Sequence, residues 1–160
     1  MLTISLIMGM VALTWYFGGV EEAQRNPNMD PDSIVYAQSV EVPLKRNRQG
    51  HYLVNGYINN NEVEFLLDTG ATDVVIPEHV AHGLGLPFGQ RGRAMTANGP
   101  ITIFRTEIDE LRIGEIRLYN VPASINPSVS MEEILLGMTA LGRIEFTQRD
   151  DVLTLHQKAG

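Results

Sequence analysis

The chain has no cysteine. That absence removes disulfides, thiolate nucleophiles and cysteine-ligated zinc or iron–sulfur centres, and it leaves the redox compartment open. A basic stripe is also missing. Nineteen acidic residues against twelve Lys and Arg leave a formal charge of −7, the wrong sign for neutralising phosphates, so nucleic acid is not expected as a partner. The short cluster Lys45, Arg46 and Arg48 reads as a solvated turn. His79 and His82 stand three apart with no third ligand near them in sequence, so no metal and no cofactor are expected.

Charge of either sign is absent from residues 2–20, LTISLIMGMVALTWYFGGV. As a helix this run would be roughly 28 Å long, close to the hydrocarbon thickness of a bilayer. Trp15 and Tyr16 near its end suit an interfacial belt. A cleaved signal peptide would want a basic residue before the run and a small-x-small site after it. The first is missing and GGVEEAQ is a poor version of the second. The expectation is an uncleaved transmembrane helix over residues 1–20, placing the chain in a lipid bilayer as a single-pass protein. Residues 21–38, polar with two prolines, read as a flexible tether.

What is plentiful is apolar side chain, at 44% of the sequence, enough for a real core. From residue 39 to 160 the pattern is mostly strand-like. Val63, Phe65 and Leu67 alternate with Glu62 and Glu64, and Asn59-Asn60-Asn61 in front of them is a hairpin signal. Asn98-Gly99 lies between two further extended segments. Leu111, Ile113, Ile116 and Leu118 alternate with charged residues around Gly114, and Arg149-Asp150-Asp151 separates the last strand pair. Helical signals are short: Pro77 to Leu84, with proline in the first turn, and Met138 to Arg143. The pattern predicts an all-β domain of short strands, closed or nearly so.

Within it, FLLDTGATDVVIP (65–77) puts an ionisable group between two apolar runs. A carboxylate at the end of a buried strand is costly unless it is hydrogen-bonded or used. Thr69 supplies a hydroxyl, Gly70 lets backbone N–H groups come close, and Ala71 leaves room. The segment reads as a tight loop that holds Asp68 upright.

Asp68-Thr69-Gly70-Ala71, flanked by apolar residues, resembles the active-site loop of aspartic proteases. Downstream, Ile134-Leu135-Leu136-Gly137 followed by Met138-Thr139-Ala140-Leu141 is similar to the apolar-Gly strand and short helix of the retropepsins. The Asn98-Gly99 hairpin lies where that family has its mobile flap. The order covers nearly the whole domain and matches best the bacterial membrane-anchored, single-lobe type of clan AA. The resemblance implies a retropepsin-like single-lobe acid-protease barrel with one short C-terminal helix, on the periplasmic face of a bacterial inner membrane. It implies an aspartic endopeptidase with Asp68 as the catalytic residue, supported by Thr69 and Gly70. Peptide or protein substrate would bind as an extended strand on Ala71, Thr72, Asp73, Met95, Thr96, Ala97, Asn98, Gly99 and Gly137. Thr72 stands where retroviral enzymes often carry an acidic residue, and Pro100 removes a backbone donor from the flap.

Two facing aspartates share one proton, because both cannot ionise at contact distance. A single lobe has one Asp-Thr-Gly and this chain has no second, so the reading requires a homodimer with one Asp68 from each subunit. The rival reading is a non-catalytic peptide-binding module of the same fold.

Overall fold

The architecture is that of a computed structural model, which describes residues 2–96 and 99–158. In chain order its elements begin with helix α1 (Leu2–Arg25) and strands β1 (Ile34–Val35), β2 (Ser39–Lys45), β3 (Leu53–Ile58), β4 (Asn61–Leu67) and β5 (Val74–Pro77). Helix α2 (Glu78–Gly83) leads to β6 (Arg91–Thr96), β7 (Gly99–Ile113), β8 (Ile116–Asn126) and β9 (Ile134–Leu136). Helix α3 (Met138–Leu141), β10 (Glu145–Arg149) and β11 (Val152–Lys158) complete it.

Turn chemistry sets the hairpins. Asn59 (φ 47°) and Asn60 (φ 66°) both take the left-handed conformation that a tight two-residue turn needs, and Ile58 then pairs with Asn61. Asp150 (φ 54°) serves the last hairpin, where Arg149 pairs with Val152. At the expected Asn98-Gly99 turn the register is one residue different. Thr96 pairs with Gly99, while Ala97 and Asn98 lie outside the described residues. Gly99 is already in the strand, at φ 108°, a conformation that side chains with a Cβ resist.

Seven strands run in the order β3-β4-β9-β5-β8-β7-β6, and a further pairing of β3 with β7 closes six of them on themselves. The all-β, closed domain expected from the alternation is what forms. Its interior is made of Phe65, Ile76, Ile108, Ile125, Ile134 and Leu136, all fully buried; full burial of a side chain of this size contributes about 1.5–3 kcal/mol. A second sheet of four strands, β1-β2-β11-β10, covers one end, with β10 on its free edge. All five residues of β10 are exposed.

Residues 2–25 are helical, but the membrane span expected over 2–20 is not supported. Among the described residues no helix is long and apolar enough to cross a membrane, and α1 continues past the apolar run through Glu21, Glu22 and Arg25. Ile7, Met8, Leu13 and Trp15 on it are exposed. The segment 21–38 also differs from a free tether. Asn26 and Asn28 are buried, because their amides replace missing backbone partners. The Asn28 amide nitrogen donates to the carbonyls of Lys45 (2.9 Å) and Leu53 (2.6 Å), while its oxygen accepts from Lys45 N–H (2.7 Å). Asn47 donates to the Arg25 carbonyl at 2.9 Å. The body of the protein therefore begins near residue 25, not 39.

Candidate active site

β4 carries an apolar strand to its end, and Asp68 is the first residue beyond it. Its N–H donates to the Leu136 carbonyl on β9 at 3.2 Å, so the parallel β4–β9 pair fixes where the side chain starts. The loop then folds back on its own acid. Gly70 N–H donates to Asp68 Oδ1 at 2.9 Å and Ala71 N–H donates to the Asp68 carbonyl at 3.2 Å. A backbone N–H on a carboxylate oxygen fixes the orientation of the acid.

The other side of the loop is held by α3. Met138 and Thr139 N–H donate to the carbonyls of Ala71 and Thr72, both at 2.9 Å, and Val74 N–H donates to Thr139 Oγ1 at 3.0 Å. Gly137 sits beneath the loop, where a Cβ would run into the carbonyl oxygens of Asp73 and Ala71. Of the residues expected to bind substrate, Ala71, Thr72 and Gly137 also hold the loop against α3. Arg143 continues the bracing by donating to the carbonyls of Tyr119 (2.8 Å) and Asn120 (3.4 Å) on β8. Neither Thr139 nor Arg143 carried a signal in sequence beyond its nearness to the apolar-Gly segment.

The expected burial of Asp68 is only partly met. In the single chain it is half-buried, while Thr69 and Gly70 are exposed. Asp68 and Thr69 open onto a hollow of about 210 Å³ shared with Tyr52, Leu141 and, from the free-edge strand β10, Phe146. Phe146 is 39% exposed. The remaining expected residues, Met95, Thr96 and Gly99, lie on the β6–β7 hairpin, with Met95 81% exposed and Thr96 Oγ1 donating to the Gly99 carbonyl at 2.8 Å. Ala97 and Asn98 fall outside the described residues. Among the described residues no group of three His, Asp or Glu is placed to hold a metal ion. His79 faces Glu132 at 3.1 Å and His82 stacks on Phe88, which accounts for both.

A carboxylate at an open loop tip, beside an uncovered strand, invites comparison with known proteins. Residues 54–143 match the family described as gag-polyprotein putative aspartyl protease. An uncharacterized Rickettsia prowazekii protein is 30% identical over 129 residues, 72% of this chain and 51% of that protein. A Sinorhizobium protein, uncharacterized and encoded in the cobV 5′ region, is 29% identical over 119 residues with the same coverage. The chain spans about half the length of these curated relatives. The crystal structure of a retropepsin-like aspartic protease from Rickettsia conorii superposes with a TM-score of 0.65 at 26% identity, covering 79% of this chain and 99% of that one. The EIAV protease, complexed with the inhibitor HBY-793, superposes with a TM-score of 0.51 at 18% identity over 62% of this chain and 92% of that one, a likeness of fold alone. The match covers the strand before Asp68, the loop, the hairpin and the Gly137 turn together, and on it the chain belongs to the retropepsin-like aspartic protease family.

Proposed function

We propose that this chain is an aspartic endopeptidase that works as a homodimer, with Asp68 of each subunit facing the other across a two-fold axis. The observation that carries the proposal is the state of Asp68 in one chain. It is aimed by Gly70 N–H, half-buried, and opens onto the same hollow as the exposed Phe146 of the free-edge strand β10. An unpaired strand edge recruits another chain, and a partner docked there would cover the hollow and bring a second carboxylate to the first.

With one proton shared between the two acids, the ionised oxygen takes a proton from a water, and the hydroxide so formed attacks the peptide carbonyl. The protonated acid then donates to the carbonyl oxygen, giving a neutral tetrahedral diol that collapses to acid and amine. An extended peptide would lie between the loop and the β6–β7 hairpin, its main chain bonded as an added strand and its alternate side chains in pockets. Because Ala71 and Thr72 carbonyls are already engaged, substrate contacts on the floor come from Asp73 and from side chains.

The exposed apolar residues Ile7, Met8, Leu13 and Trp15 of α1 favour a lipid environment for that helix. The proposal therefore keeps the placement at a bacterial inner membrane with the domain periplasmic, and a C-terminal reporter fusion tests the sidedness. For the chemistry, the full chain in detergent should cleave members of a broad peptide library at acidic to mildly acidic pH. Asp68→Asn should lower turnover by at least about 10²–10⁴-fold, the range for losing an acid–base group, with the fold intact. Cleavage at the unaltered rate in that variant would refute the assignment, and sedimentation as a monomer under conditions of full activity would refute the dimer.

A further inference from the structure

Arg25, the last residue of α1, reaches β4 and the residue that leads into β9 at once. Its Nη1 lies 2.7 Å from Glu64 Oε1 and 2.7 Å from Glu133 Oε1. Nη2 contacts Glu22 Oε1 at 2.9 Å and Glu64 Oε2 at 3.1 Å. Asn26 adds a 2.7 Å bond to Glu64 Oε2. The fork geometry of a guanidinium suits this, since one planar group presents donors to several oxygens. Hydrogen bonding to Glu22, then to Glu64 with its charge, raises the Arg25 pKa against the opposing effect of burial, so the group is cationic under all ordinary conditions.

The positions of the two acids give the contact its meaning. Phe65 pairs with Ile134 in the parallel β4–β9 ladder, with Glu64 one step before Phe65 on β4 and Glu133 the residue that leads into β9. Both side chains are largely buried, at 16% and 21% exposure. Like charges side by side across strands drive them apart, and little water is present to screen these. The same two strands deliver Asp68 and Gly137 at their other ends, three residues further along each register.

We infer that Arg25 is a positioning residue for the candidate active site. By placing one positive charge between Glu64 and Glu133, it offsets their repulsion, holds the β4–β9 pair closed and so keeps Asp68 in register with the α3 turn. The N-terminal helix is then a component of the site's framework as well as an extension of the chain. The consequence for turnover rests on the aspartic-protease reading. The structural claim does not.

Amide hydrogen exchange on the full chain at pH 7 separates the possibilities. In Arg25→Met, exchange at Asp68 N–H, which crosses the β4–β9 seam, should quicken about tenfold. Leu67 N–H, bonded to the Tyr52 carbonyl on the other side of β4, should change little. Arg25→Met/Glu64→Gln/Glu133→Gln should restore Asp68 protection, because amides do not repel. Failure of this rescue would overturn the inference, as would quickened exchange confined to α1, since both indicate that Arg25 only fastens the helix. Should Arg25→Met not fold, Arg25→Lys serves instead. A single ammonium cannot span all three acids, so Asp68 exchange should quicken two- to threefold, and wild-type exchange there would overturn the claim. With a cleavable peptide, Arg25→Met should lower kcat with KM nearly unchanged, and the triple variant should recover it. If the wild-type chain cleaves nothing, the protease reading fails while the exchange result still decides the role of Arg25.

Discussion

Asn28→Ala is the most direct test that the body of the protein starts before residue 39. Asn28 is 5% exposed, and its side chain forms three hydrogen bonds with the Lys45 backbone and the Leu53 carbonyl. Each such bond contributes about 1 kcal/mol net, and more where truncation leaves a buried partner unpaired. Alanine orphans one N–H and two carbonyls, so the expected loss is about 3 kcal/mol. For a chain of this size that lowers the melting temperature by roughly 10 °C. The assay is urea unfolding in detergent, followed by tryptophan-independent far-UV signal because Trp15 lies on α1. The midpoint should fall with an unchanged slope, as for a pure stability change. Asn28→Asp should cost as much or more, since it keeps an acceptor for Lys45 N–H but turns a second oxygen on two carbonyls. A loss below about 0.5 kcal/mol, the scatter expected of a surface site, would show that residues 26–28 are not part of the folded unit.

Gly137→Ala should destabilise by about 2–4 kcal/mol, because its Cβ meets backbone carbonyls of the Asp68 loop that cannot give way; a variant that unfolds at the wild-type midpoint would refute this. On β10 and β11, hydrogen bonding and charge from Lys158 hold the Glu145 carboxyl below its ordinary value. Any stability from this exposed pair is therefore present above the unfolded-state pKa and lost as pH falls through the lowered folded value. An NMR titration should show the Glu145 midpoint moving up in Lys158→Met, and an unmoved midpoint would exclude the pairing.

Local chemistry made most of the fold legible. Asn59-Asn60 and Asp150 announce their turns because few other residues tolerate a positive φ, and the alternation in β8 separates core from solvent. The Asp68 loop was readable for the same reason: a carboxylate, a small residue and a glycine in order have few other uses at a strand end. What escaped has a physical cause in each case. Asn26 and Asn28 look like linker residues, since the amide that makes asparagine soluble is the group that satisfies a buried backbone. Gly99 was expected in a turn but lies in β7, because a glycine with positive φ can occupy the first strand position as well as a turn. The exposure of Asp68 could not be read from its apolar flanks, which describe the strands and not the loop tip between them.

The parallel pairing of β4 with β9 also bears on how the molecule is made. Phe65 must find Ile134 after the chain between them has formed two hairpins and a helix, and pairings so distant in sequence are slow because loop closure comes before any reward. During synthesis the carbonyls of Ala71 and Thr72 lack their partners until Met138 and Thr139 have left the ribosome. A nascent or truncated chain therefore carries the acid without its geometry. The geometry around Asp68 is acquired late, when the last third of the domain closes on the first.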